Sequence, residues 1–357
     1  MFMARTTLRL ALPASLLAAA SFATAETYTA QIFSSPPGYP KMRVSGAGDN
    51  GLMSGQMSNG STAHAAYRTP TGYKDMHPAT GFTQSEIMDS WGSTYHCGWG
   101  VTTGSAFHAL FWLGGGAAVD IHPVGAEYAA SVAVGGGGQL QAGYVQGTIN
   151  CEQCGVSMEQ HACVWSRTTA SFSRLHASQH WYSAAFATDG VRQVGHGTHR
   201  TDGSTNALMW NGPNSFAVNL RPSMSTTSAA RAIWGNQQGG FFRGPMTGDK
   251  IHAVIWANTA ASAVDLNPNS VFETTQVTAV RDGLQVGRGR PISTPTRDQA
   301  IAWHGTAGSW INLHSKLPAP YTLWHSYAEG IDNLGNVTGY IKNPEGTDMR
   351  AVLWKRS

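Results

Sequence analysis

Small and apolar residues alternate along this chain in short runs closed by glycine turns, and the runs recur in one fixed order. The clearest is a five-residue phrase with alanine second and an aromatic fifth. It reads His64-Ala-Ala-Tyr-Arg68, His108-Ala-Leu-Phe-Trp112, His161-Ala-Cys-Val-Trp165 and Asn206-Ala-Leu-Met-Trp210. It returns as His252-Ala-Val-Ile-Trp256, Gln299-Ala-Ile-Ala-Trp303 and Arg350-Ala-Val-Leu-Trp354, the copies lying 44 to 53 residues apart. A second phrase follows seven to nine residues later, as in Asp75-Met-His-Pro78, Asp120-Ile-His-Pro123 and Asp265-Leu-Asn-Pro268. None follows Trp354, and its counterpart is Gln31-Ile-Phe-Ser34 near the other terminus. A third run opens on a hydroxyl residue, Ser45, Ser85, Ser131, Ser183, Ser228, Thr275 or Ser326. It closes on a turn glycine such as Gly51, Gly92 or Gly190, and a fourth run ends on Gly55, Gly98, Gly143, Gly195, Gly240, Gly287 or Gly339.

Each repeat therefore predicts four short strands joined by turns. Four antiparallel strands at a period of about 40 to 50 residues are the signature of a propeller blade. Seven copies predict an all-β, seven-bladed β-propeller occupying residues 26–357 as one domain. A β-sandwich offers no reason for seven matched phrases. The split last repeat predicts how the ring closes. Three strands come from about residues 323–355 and the fourth from Thr27–Phe33, a 3+1 exchange that leaves no open sheet edge.

The repeated wording resembles the HAF-repeat proteins, exported bacterial propellers with a His-Ala-x-x-Trp strand and an Asp-Leu-type strand. The resemblance spans nearly all of residues 27–357. It departs at Arg68, where the aromatic is lost, and fits least well near residues 84–100. Its motifs imply an architecture and say almost nothing about activity.

Arg5 and Arg9 precede an apolar Ala/Leu-rich run from Leu10 to Phe22, and Ala23-Thr24-Ala25 supplies a small-residue cleavage pattern. This predicts a signal peptide over residues 1–25 and a secreted or periplasmic protein with no integral membrane segment in its mature part. Removing those two arginines takes the formal charge from +3 to +1. With 12% charged residues, the chain has no footprint for nucleic acid.

Candidate chemistry is sought where the repeats disagree, because a group that recurs in every blade serves the architecture. On that ground the repeated histidines and tryptophans are read as struts and core wedges. Propeller ligands sit on the channel, and the segments leading into the innermost strands were expected at its ligand-binding end. These hold Tyr128, His180, Trp181, Tyr182, Trp324 and His325. Glu86, Arg231 and Glu329 are charged within the innermost strands themselves, either as a salt-bridge plug or as a ligand site. Cys97, Cys151, Cys154 and Cys163 suit disulfides in an exported protein, with three pairings open. A metal or redox site of Cys151, Cys154, His161 and Cys163 is the sharper alternative.

No nucleophile elbow, phosphate loop or zinc-protease helix is present. The leading expectation is a monomeric binding or scaffold module, without a cofactor, taking a glycan or protein ligand at the channel face. The rival is a polysaccharide-active enzyme, a lyase or glycoside hydrolase, with His180, Tyr182, Arg231 and His325 as catalytic candidates. A third is a periplasmic metal or thiol protein using Cys151 and Cys154.

Overall fold

The computed structural model describes residues 26–148, 158–175, 177, 179–213 and 215–357. The expected signal peptide, Cys151, Cys154 and the repeat histidine His176 lie outside the described residues. Among those residues there are 28 strands, a few single-turn 3-10 helices and no α-helix. Three sheets have four strands. Two have eight, and each of these divides at a single parallel pair, Lys41–Met349 or Thr205–Thr227, giving seven four-stranded antiparallel units.

Chain order within a unit runs from its innermost strand outward. In unit one the strands are Lys41–Ala47, Met53–Ser58, Ala63–Thr69 and Gly72–Asp75. The innermost strands of units two to seven are Phe82–Trp91, Ala130–Gly137, His180–Thr188, Thr227–Trp234, Phe272–Arg281 and His325–Ile331. Unit seven takes its outermost strand, Tyr28–Ile32, from the amino-terminal end. That strand pairs antiparallel with Met349–Arg356 in the register Tyr28–Arg356 to Ile32–Val352. The 3+1 pairing is therefore present.

Its register is one residue off the sequence reading. The backbone N–H of Phe33 donates to Ala351 O, as Met76 does to Ala65 O and Ile121 to Ala109 O. Phe33, not Ile32, is thus the counterpart of Met76, and a one-residue slip exchanges the two faces of a strand. The aromatic ring consequently packs with Met42, Val44 and Leu353.

The core lies between units. Trp112, Trp165, Trp210, Trp256, Trp303 and Trp354 are all fully buried, each a wedge of apolar area on the third strand. Where the first copy has Arg68 in place of the tryptophan, the guanidinium lies 3.4 Å from the centroid of Phe33. A polar strut repeats alongside. In six of the seven phrases the alanine N–H donates to the hydroxyl opening the next unit's inner strand, as Ala65 to Ser85 (2.9 Å) and Ala109 to Ser131 (2.8 Å). The same bond joins Ala162 to Ser183, Ala207 to Ser228, Ala253 to Thr275 and Ala300 to Ser326. His77, His122 and His314 hold three of those hydroxyls through Nδ1 at 2.8 Å. His64 and His108 stack on His77 and His122 and bond Asp75 and Asp120. These histidines are structural, as their repetition implied.

Ser45 does not belong to that series. By strand register its place is taken by Met42, opposite Met57 as Ser326 is opposite Ile341. Unit one lacks the hydroxyl, and Ser45 was merely the nearest one in sequence.

Candidate functional site

All seven innermost strands break register at one shared level, and three of them break it again near their start, at Phe82/Gln84, His180/Tyr182 and Phe272/Thr274. The shared breaks fall at Val44/Gly46, Ile87/Asp89, Ala133/Gly135, Ala185/Ala187, Ala230/Ala232, Val277/Ala279 and Ala328/Gly330. Each is a bulge, with one extra residue that pairs with nothing and re-aims its side chain. The extra residues are Ser45, Met88, Val134, Phe186, Arg231, Thr278 and Glu329, and all seven line one cavity of about 610 Å³. The glycines Gly55, Gly98, Gly143, Gly195, Gly240, Gly287 and Gly339 face these bulges from inside the second strands. At every one a Cβ would come closer than 3 Å to an inner-strand carbonyl oxygen. These glycines let the two backbones meet where the bulge forms.

The cavity runs from the bulges toward the end where the inner strands finish, reaching Asp49, Gly92, Gly138, Asp189, Trp234 and Arg281. The segments where those strands begin do not line it. One level before the bulge, Glu86 is buried in an ion pair with Arg43 and accepts from Ser45 Oγ at 2.7 Å. Tyr327 stacks on Tyr340 at 4.6 Å at that same level. Beyond the bulge, Gly46, Gly136, Gly137 and Gly330 leave three of the inner strands without a side chain at those positions.

Glu86 is thus a buried ion-pair partner, whereas Arg231 and Glu329 belong to the cavity. The Arg231 guanidinium lies 4.4 Å from the Phe186 centroid and 5.8 Å from that of Phe241. Among the described residues it has no hydrogen-bond or ion-pair partner. Its surface is exposed, because the cavity opens on it. Burial, then Arg288, push its pKa down, and Glu329 opposes them. Arg288 lies in the same wall. In the amide orientation that satisfies both groups, Gln276 accepts from Arg288 Nε and Nη2.

Glu329 has no hydrogen-bond partner among the described residues. Burial pushes its carboxyl up to about 7, against the pull of Arg288, Arg43 and Arg231 and with the help of Glu86. Asp89 is also raised to about 7 by burial, although it accepts from Gly136 N (2.9 Å) and Ser90 N (2.8 Å). Next to Arg231, His196 is lowered to about 4 by burial and that cation, so it is neutral at physiological pH. Trp91 and Trp234 line the outer part of the cavity, their indole N–H groups bonded to Gly138 O and Asp282 Oδ1.

The other predicted residues do not reach this cavity. His180 is buried at the position that Phe82 and Phe272 take in their units, packed over a second-strand glycine, Gly197, as those rings are over Gly100 and Gly289. It fills an aromatic wedge site. Trp181 and Tyr182 are exposed where their inner strand begins, and Arg200 lies 4.4 Å from the Trp181 ring centroid. Tyr128 and Trp324 are partly buried against core clusters, in edge contact with Phe172 and Tyr321. His325 Nδ1 accepts from Asp298 N at 3.2 Å. The lyase constellation of His180, Tyr182, Arg231 and His325 is not assembled.

Cys97 and Cys163 are free and buried in one apolar cluster between units two and three. Burial holds both thiols well above the usual cysteine range. These two are not joined in a disulfide, and Cys151 and Cys154 fall outside the described residues. His161 Nε2 bonds Glu159 at 2.8 Å. Among the described residues no three His, Cys, Asp or Glu side chains are grouped to hold a metal, and no helix is long and apolar enough to cross a membrane.

No family model matches the chain, and no curated protein is similar to it in sequence. Solved structures do match. A puromycin hydrolase superposes at a TM-score of 0.57 with 11% identity, over 86% of this chain and 51% of its own. The chain thus spans about half the length of that protein. The β-propeller domain of the Trilobed protease from Pyrococcus furiosus superposes at 0.52 with 8% identity, over 92% and 97%. The BP39L lectin from Burkholderia pseudomallei superposes at 0.49 with 12% identity, over 93% and 96%. The fold is an all-β propeller fold. At these identities the likeness extends to nothing else.

Sequence reasoning reached Arg231 and Glu329 but missed the ring they belong to. Met88, Val134 and Thr278 carry no functional signal of their own. The usable signal was the mid-strand glycine recurring in all seven units, which marks a bulge across from it.

Proposed function

We propose that this chain is an exported, closed seven-bladed propeller of the HAF-repeat type that binds a glycan in its axial cavity. One observation carries the reading: seven bulges converge on a single cavity in which Arg231, stacked on Phe186, has no hydrogen-bond or ion-pair partner among the described residues. A volume of about 610 Å³ falls in the range of about 300–1,000 Å³ typical of small-ligand sites. It suits a few sugar units better than a folded protein surface. Phe186, Trp91 and Trp234 offer the apolar faces that sugar rings pack on, and backbone and charged groups supply polar contacts between them. Pairing of Tyr28–Ile32 with the carboxy-terminal strand supports closure of the ring.

The test is a glycan panel read by calorimetry on the protein and on Val134→Trp. Val134 lies on the cavity wall, and an indole there fills the space. Binding that Val134→Trp abolishes, while the double variant Trp181→Ala, Tyr182→Ala retains it, supports the cavity. The reverse pattern moves the site to the other end.

A further inference from the structure

The occupant of this cavity can be narrowed by asking which of its charges are already answered. Three arginines act on Glu329: Arg43, Arg231 and Arg288. Arg43 is held by Glu86, and Arg288 by Gln276. Among the described residues, Arg231 alone of the three has no acceptor. It stands on a bulge, aimed into the cavity with its plane supported by Phe186. A guanidinium presents five donors in a rigid fork that matches a carboxylate two bonds at a time, and it stays charged at every relevant pH. Its exposed surface leaves those donors open to a ligand carboxylate entering the cavity.

Glu329, the acid that acts on it, does not answer it either. Glu329 makes no hydrogen bond to Arg231 among the described residues, although the two act on each other through space. The other acids of the cavity are engaged elsewhere, Asp89 by Gly136 N and Ser90 N, Asp189 by Arg192 and Asp49 by Arg281. His196 offers no negative charge. Among the described residues the wall therefore gives Arg231 no bonded anion. Trp91 and Trp234 farther out supply flat apolar surface for the rest of a ligand.

We propose that the cavity is specific for an acidic sugar, with Arg231 gripping its carboxylate and the aromatic wall receiving the ring. This rests on the cavity reading above and goes beyond it by fixing the ligand's chemical class. It makes Arg231 the residue that distinguishes acidic from neutral glycans.

The experiment separates charge from shape. Oligomers of galacturonate, mannuronate and glucuronate are titrated into the mature protein, with their methyl esters as uncharged counterparts and neutral and sulfated oligosaccharides as controls. The expected result is that at least one uronate oligomer binds, that its ester binds about tenfold or more weakly, and that Arg231→Gln removes the difference. Arg231→Lys should restore only part of it, because a point charge lacks the fork. Equal affinity for acid and ester, preference for the sulfated sugars, or no uronate binding at all overturns the proposal. Neutral sugars bound in the wild type and blocked by Val134→Trp would leave the cavity reading intact while this inference falls. Circular dichroism of each variant confirms that it is folded.

Discussion

Replacing Phe33 with alanine tests how the chain fastens its two ends. The ring is buried among Met42, Val44, Met53 and Leu353, side chains of units one and seven. Truncating a buried phenylalanine costs about 3–5 kcal/mol. The Arg68 guanidinium, 3.4 Å from its centroid, loses its aromatic face as well, adding about 1 kcal/mol at a partly exposed site. Together these predict a loss of about 4–6 kcal/mol. At about 2 °C per kcal/mol for a chain of this size, the melting point falls by about 8–12 °C. Denaturant titration gives the free energy directly, and the slope should not change if only native contacts are lost. Arg68→Ala, alone and combined with Phe33→Ala, should show a coupling of about 1 kcal/mol. A loss below about 1 kcal/mol for Phe33→Ala would mean that residues 28–33 do not hold unit seven to unit one.

Four further outcomes are expected. Ser85→Ala removes the hydroxyl that accepts from Ala65 N and donates to His77 Nδ1 and should cost about 1–3 kcal/mol in denaturant titration, since a buried N–H is left unpaired. Gly98→Ala places a Cβ against the Glu86 carbonyl and should abolish soluble expression or cost more than about 4 kcal/mol, an exceptional value for one methyl group. Thiol titration should find Cys97 and Cys163 unreactive in the native protein and reactive once it is unfolded, because both are buried and held in the thiol form. Glu329→Gln should change the pH dependence of stability. With the folded carboxyl at about 7 against an ordinary 4.5, the folded state keeps a proton that the unfolded chain releases. Wild-type stability is therefore full below about pH 4.5 and declines as pH rises to about 7. The shift sets a ceiling of about 3 kcal/mol at 1.36 kcal/mol per unit, which cavity water reduces to about 1–2. Melting curves should show the variant gaining on the wild type across that window; parallel curves would refute the assignment.

The sequence made the repeat legible because the same junction is built again and again. A tryptophan wedge, an alanine N–H and a hydroxyl acceptor each demand a residue type, and that demand is visible six times over. Errors arose where one copy used different chemistry. Met42 replaces the hydroxyl in unit one, so the pattern slid to Ser45. Arg68 with Phe33 replaces the tryptophan wedge, so the terminal strand was read one residue out of register. The cavity was less legible for a different reason. A bulge residue needs only to project from the strand, which permits Ser, Met, Val, Phe, Arg, Thr and Glu at one structural position. His180 misled in the opposite sense, since its ionisable ring occupies a site where two other units have phenylalanine. Its surroundings, not its chemistry, set its role.

The most direct measurement is a crystal structure of the protein soaked with the best oligosaccharide from the panel. The account predicts electron density for a sugar carboxylate against Arg231, with its ring among Phe186, Trp91 and Trp234. Density beside Trp181 and Tyr182, or on the outer strands with the cavity empty, would contradict it.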